Sequence, residues 1–108
     1  MQNKFIIVYV THKNQEEADK IVKILLDKKI IACANFFPIS ACYFWNNEIA
    51  NENEIVSLLK TRIENFAILE KIILENHPYK IPCIIKFEVE ANQAYYNWIL
   101  EETKNSKI

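Results

Sequence analysis

The chain has 108 residues, of which 51% are hydrophobic and 25% charged; its formal net charge is -1, and it contains no glycine. That length predicts one domain of the globular class, and the near-neutral charge leaves no overall electrostatic footprint for nucleic acid. Without glycine there can be no Walker A loop, GxGxxG fingerprint, EF-hand loop or GxSxG elbow, because each needs positive φ angles or a close backbone approach to the ligand.

Met1 to Lys4 leads into a short apolar run with no small-residue cleavage pattern after it, unlike a secretory signal. No stretch approaches the ~20 apolar residues of a membrane span. A cytoplasmic protein that does not enter a membrane is the expectation. Phe5 to Val10 is β-branched and aromatic, too short for a typical helix, and predicts a buried strand. Thr11 to Asn14 breaks it. Asn14 then stands in N-cap position with Glu17 three residues on, and Ala18, Ile21, Val22, Leu25 and Leu26 form an apolar stripe, predicting a helix over roughly 15–29.

Ile30 to Trp45 has strand character throughout, interrupted by Pro38, which cannot donate to a central ladder and so marks a bulge or an edge. Asn46-Asn47 predicts a hairpin turn, because asparagine tolerates the left-handed region. The return strand is Glu54 to Thr61, with Glu48 to Asn53 either extending the ladder or looping out. Glu64 to Asn76 carries Phe66, Leu69, Ile72 and Ile73 at helical spacing and ends before Pro78. In Cys83 to Val89, Cys83, Ile85, Phe87 and Val89 alternate with Lys86 and Glu88, so one face of this fourth strand meets water. Asn92 caps a third helix with Tyr95, Trp98 and Ile99 on one face and a charged tail behind. Cys33, Cys42 and Cys83 form no CxxC pair and read as small buried hydrophobes in a reducing compartment.

The order β-α-β-β-α-β with a closing helix is that of an α+β, ferredoxin-like sandwich with an antiparallel sheet, in a single domain over 1–108. Apolar residues lie on both faces of the long segment: Ile31, Cys33, Phe37, Ile39, Tyr43 and Trp45 on one, Ala32, Ala34, Phe36 and Phe44 on the other. Both faces then need a cover, and the third helix is too short to supply all of the second. A homo-oligomer built through the long strand follows.

Five stretches in order, Ile31 to Asn35, Tyr43 to Ile49, Leu59 to Arg62, His77 to Pro82 and Tyr96 to Ile99, make the chain similar to the CutA divalent-cation-tolerance family over nearly its whole length. The resemblance implies a ferredoxin-like subunit, a homotrimer, a cytoplasmic setting and a link to tolerance of copper and other divalent ions. It also implies kinship with the trimeric PII signalling proteins, whose inter-subunit clefts bind nucleotides and small effectors.

His77 is the leading metal candidate on residue type, and its competing role is to cap the second helix. Family members proposed to bind copper offer further donors at positions that here hold Val10, Asn76 and Cys83. His77 with a Cys83 thiolate is therefore the expected weak site for copper or another divalent cation, and no other cofactor is expected. His12 reads as a solvated loop residue. Lys60 interrupts an apolar strand and is either paired, with Glu54 or Glu48, or joins Arg62 in binding a nucleotide or small anion in an inter-subunit cleft. Tyr43, Phe44 and Trp45 read as trimer interface. No spacing supports catalysis. The expected protein is a trimeric, non-enzymatic binding or signalling module whose partners are its own copies and a divalent ion, with neither nucleic acid nor membrane.

Overall fold

The computed structural model describes residues 2–107. Four strands, β1 (Lys4–His12), β2 (Cys33–Trp45), β3 (Glu48–Thr61) and β4 (Ile84–Glu90), form one antiparallel sheet in the order β2-β3-β1-β4. Helices α1 (Gln15–Asp27) and α2 (Phe66–Asn76) share one face of it, and α3 (Gln93–Thr103) follows the last strand. This is the α+β, ferredoxin-like arrangement expected of the residue pattern.

The core lies under α1 and α2. Ile6, Val8 and Val10 alternate along β1 and meet Leu59 of β3, Ile21 and Leu25 of α1, and Leu69 and Ile73 of α2. The opposite face is partly covered by α3, where the Tyr95 ring sits 6.1 Å from that of Phe5. On β4 the alternation turns out opposite to a simple amphipathic strand. Ile84 packs on the core and Lys86 reaches the Phe66 ring of α2, 4.6 Å from its centroid, whereas Ile85 and Phe87 occupy the other face and remain exposed. The face predicted to be inside is thus the one left uncovered.

The β2–β3 ladder runs unbroken from Cys33–Lys60 to Trp45–Glu48, so Glu48 to Asn53 extend it and Pro38 sits opposite Ile55 without a bulge. Pro38 is tolerated because β2 is an edge strand. β1 stops at His12, opposite Ile55, and beyond that point the two longer strands continue as a two-stranded arm. The arm accounts for dimensions of 47 × 25 × 20 Å and a radius of gyration of 14.6 Å, against about 13 Å for a compact chain of this length.

A chain without glycine must place other residues in the left-handed region, and among the described residues three are there: Lys29 (φ 56°), Asn46 (φ 51°) and Asn47 (φ 64°). The asparagines make the expected two-residue hairpin turn. Lys29 was not foreseen; it ends α1 two residues short of 29, in a Schellman motif closed by Ile30 N–H to Leu25 O at 2.9 Å and Lys29 N–H to Leu26 O at 3.0 Å. Ile30 and Ile31 are buried just beyond it, outside β2. Asn14 does cap α1, accepting from Glu17 N–H at 2.9 Å, whereas Asn92 stands at the N-cap of α3 without a side-chain cap bond. The second helix begins later than its spacing suggests, after a 3-10 turn at Ile63–Asn65. Since a β-carbon in the left-handed region costs roughly 1–2 kcal/mol, Lys29→Gly should stabilise the fold by about 1 kcal/mol, read as a higher denaturant midpoint at unchanged slope.

Candidate functional site

The end of β1, the segment after α2 and the base of the arm meet at one place. Along β1 the core-facing alternation Ile6, Val8, Val10 continues to His12, which is not a solvated loop residue: it is 1% exposed, and its Nε2 lies 2.7 Å from the Ser57 hydroxyl of β3. Its Nδ1 is buried without a partner among the described residues. The tautomer with the proton on Nε2 leaves only a lone pair unpaired there, which is the smaller penalty. Burial, and secondarily the neighbouring His77, depress the His12 pKa to about 4.

His77 stacks on His12 with ring centroids 5.5 Å apart. Its backbone N–H closes α2 on Ile73 O, so it does occupy the helix C-cap. Both ring nitrogens are engaged: Nδ1 accepts from Tyr79 N–H at 3.1 Å, which assigns the proton to Nε2, and Nε2 donates to Thr11 O at 2.7 Å. Neither is free to ligate. Cys83 is half-buried, and burial together with the Glu54 charge pushes its thiol pKa up, away from the thiolate a metal needs. No group of three or more histidine, cysteine or acidic side chains able to hold a metal forms among the described residues. The expected His77–Cys83 donor pair therefore does not fit a closed metal centre, and Val10 and Asn76 add no donor to it: Val10 is core, and Asn76 donates to Ile72 O within α2.

The 79–81 segment lies against the arm where β1 has ended, and between them is a concavity of about 340 Å³ lined by Thr11, Tyr43, Trp45, Glu52, Glu54 and Tyr79, with Lys80 and Ile81 at its side. Tyr79 donates its hydroxyl proton to Glu54 Oε2 at 2.5 Å. Glu54 is only 7% exposed. Burial, and then the hydrogen bond and charge of Glu54, raise the Tyr79 pKa well above its ordinary value; loss of solvation and then the charge of Glu52 raise that of Tyr43. This acidic, aromatic groove was not foreseen as a unit, although Tyr43, Trp45 and Glu54 were each singled out.

Lys60 is not paired with Glu54 or Glu48. Its ammonium donates to the Tyr95 hydroxyl at 3.1 Å and sits 5.3 Å from that ring's centroid, under α3. Arg62 clamps the end of the same helix, donating to Leu100 O at 2.5 Å and Thr103 Oγ1 at 2.9 Å. Both cations thus have intrachain partners. Of the three aromatics assigned to an interface, Tyr43 and Trp45 line the groove, while Phe44 points to the opposite face of the arm and is 75% exposed. The cysteines are free, but Cys42 is exposed and Cys33 and Cys83 only half-buried, so the reading as buried hydrophobes does not hold.

His12 should make stability fall with acidity. Its folded pKa lies below the ordinary ~6.5, so the unfolded chain binds more protons between about pH 6.5 and 4, and stability drops across that window as pH falls, by about 3 kcal/mol at most. His12→Asn should flatten that slope in denaturant titrations; parallel curves would refute it. Arg62→Ala should lower stability by about 2 kcal/mol through loss of the charged hydrogen bonds to Leu100 O and Thr103 Oγ1, with Arg62→Lys restoring only part.

Residues 6–102 match the family described as CutA1 divalent ion tolerance protein. A relative from Pyrococcus horikoshii, described as divalent-cation tolerance protein CutA, is 43% identical over 100 residues, covering 92% of this chain and 98% of its own. The structure described as the periplasmic divalent cation tolerance protein CutA of Archaeoglobus fulgidus superposes with a TM-score of 0.87 at 36% identity, over 93% of this chain and 98% of the other. That of a Nostoc protein described as PII-like protein CutA gives 0.84 at 27% identity, over 91% and 96%. Sequence and fold agree, and the chain belongs to the CutA1 divalent ion tolerance family.

Proposed function

We propose that this protein is a homotrimeric, non-catalytic module of divalent-ion tolerance that acts by binding and signalling rather than by storing metal. The observation that carries the assembly is the arm. Phe44 and Ile49 face each other across the ladder, both exposed, on a strand pair whose outer edge, that of β2, has no neighbour among the described residues. Ile85, Phe87 and Trp98 leave a further apolar surface beside α3. A free edge and two uncovered apolar faces are liabilities in a monomer and are resolved when copies pair in a closed ring. Three copies is the number the family resemblance implies. Tyr43 and Trp45, on the groove side of the same arm, would then stand at the border between copies.

Contact with copper or another divalent cation is weak in this reading, because His77 must give up a hydrogen bond and Cys83 a proton. The PII-like alternative, a nucleotide or small anion at Lys60 and Arg62, has less support, since both cations already have partners on α3. We place the module in the cytoplasm on its free cysteines, whereas the Archaeoglobus relative is described as periplasmic. No helix among the described residues is long and apolar enough to cross a membrane.

Light scattering on the purified protein should give the mass of three chains, and Phe44→Ser should shift it toward smaller species; a wild-type monomer at micromolar concentration would overturn the assembly. Calorimetric titration of the reduced, tag-free protein with Cu2+ or Zn2+ should show weak heat that His77→Ala diminishes. Tight stoichiometric binding would contradict the reading.

A further inference from the structure

The groove at the base of the arm holds a buried carboxylate with no ion-pair partner among the described residues. A charge buried as deeply as Glu54 is ordinarily paired. Its hydrogen-bond partner is the neutral Tyr79 hydroxyl, and among the described residues no lysine, arginine or histidine nitrogen forms an ion pair with it or with Glu52. Lys80 lines the same cavity without an ion pair, so two carboxylates and one ammonium leave it one negative charge in excess.

The lining decides what kind of cation fits. No cluster of three or more histidine, cysteine or acidic side chains able to hold a metal ion forms among the described residues. Tyr43, Trp45 and Tyr79 instead supply three aromatic rings, the surface that receives organic cations. Tyr79 occupies Oε2 of Glu54 and leaves Oε1 for a ligand N–H, and Thr11 adds a polar residue to the lining. A volume of about 340 Å³ admits a small molecule.

We propose that this groove binds a small organic monocation bearing N–H donors, an alkylammonium or guanidinium, with Glu54 as its charge partner, Tyr79 positioning that carboxylate, and Tyr43 and Trp45 as walls. The assignment does not depend on the metal contact, but it requires that the assembly leave the groove open. It takes the ligand to be a free molecule rather than a lysine or arginine of a neighbouring copy.

Calorimetric titration of the full-length protein in its native assembly with n-butylammonium and methylguanidinium, and with n-butanol as the neutral counterpart, tests it. Either cation should give saturable heat and n-butanol none. Glu54→Gln, which keeps the volume and still accepts from Tyr79, should weaken cation binding about tenfold or more, as expected for loss of a charged hydrogen-bond acceptor. Glu52→Gln, on an exposed residue whose change spares the fold, should weaken it less. Equal response to n-butanol, affinity unchanged in both variants, or no cation heat because a neighbouring copy fills the groove would each overturn the proposal.

Discussion

The hydrogen bond from Tyr79 to Glu54 ties the connection leaving α2 to the arm of β3, and the site exists because of it. Two chain segments far apart in sequence meet there only because β1 is shorter than its neighbour: it ends at His12, opposite Ile55, and vacates the ground beside Glu54 that the 79–81 segment then occupies. The same segment is held from behind. His77 binds Thr11 O with one ring nitrogen and Tyr79 N–H with the other, and its face rests on His12. A residue that looks like a metal ligand thereby serves as the rivet of a turn.

Within the single chain, one buried charge has no ion-pair partner among the described residues and large apolar surfaces are left uncovered. The core under α1 and α2 is complete, with its aliphatic side chains fully buried, yet the arm and the outer face of β4 carry large apolar side chains into solvent. Lys86 on the helix side, seated over Phe66, shows that β4 is oriented by Ile84 and by its register with β1 rather than by its own alternation. The trimeric reading rests on this incompleteness together with the kinship of the chain, and the groove lies on the incomplete side.

Much of the fold was legible because periodicity reports local burial. The helix stripe of α1, its Asn14 cap, the Asn46-Asn47 turn and the need for a second cover all follow from spacing and residue type. Lys29 was not legible, since only the demand for buried Ile30 forces a lysine into the left-handed region. His12 was legible in principle: it continues the alternation of Ile6, Val8 and Val10 to the core face, a signal masked by the polar residues that follow it. The groove was beyond sequence reasoning, because the partnership of Glu54 with Tyr79 depends on where β1 stops. Lys60 and Arg62 were recognised as exceptional cations, but their partners belong to α3, whose docking no local pattern reveals.

The central claim is that Glu54 is a buried carboxylate awaiting a cation. Its carboxyl carbon, followed by NMR in protein labelled at the glutamate side chains and assigned by its absence in Glu54→Gln, reports on that directly. Addition of n-butylammonium should move this resonance saturably while those of Glu16 and Glu101, on the helix surfaces, stay in place. A Glu54 signal that does not respond, or that moves no more than those surface glutamates, would contradict the account.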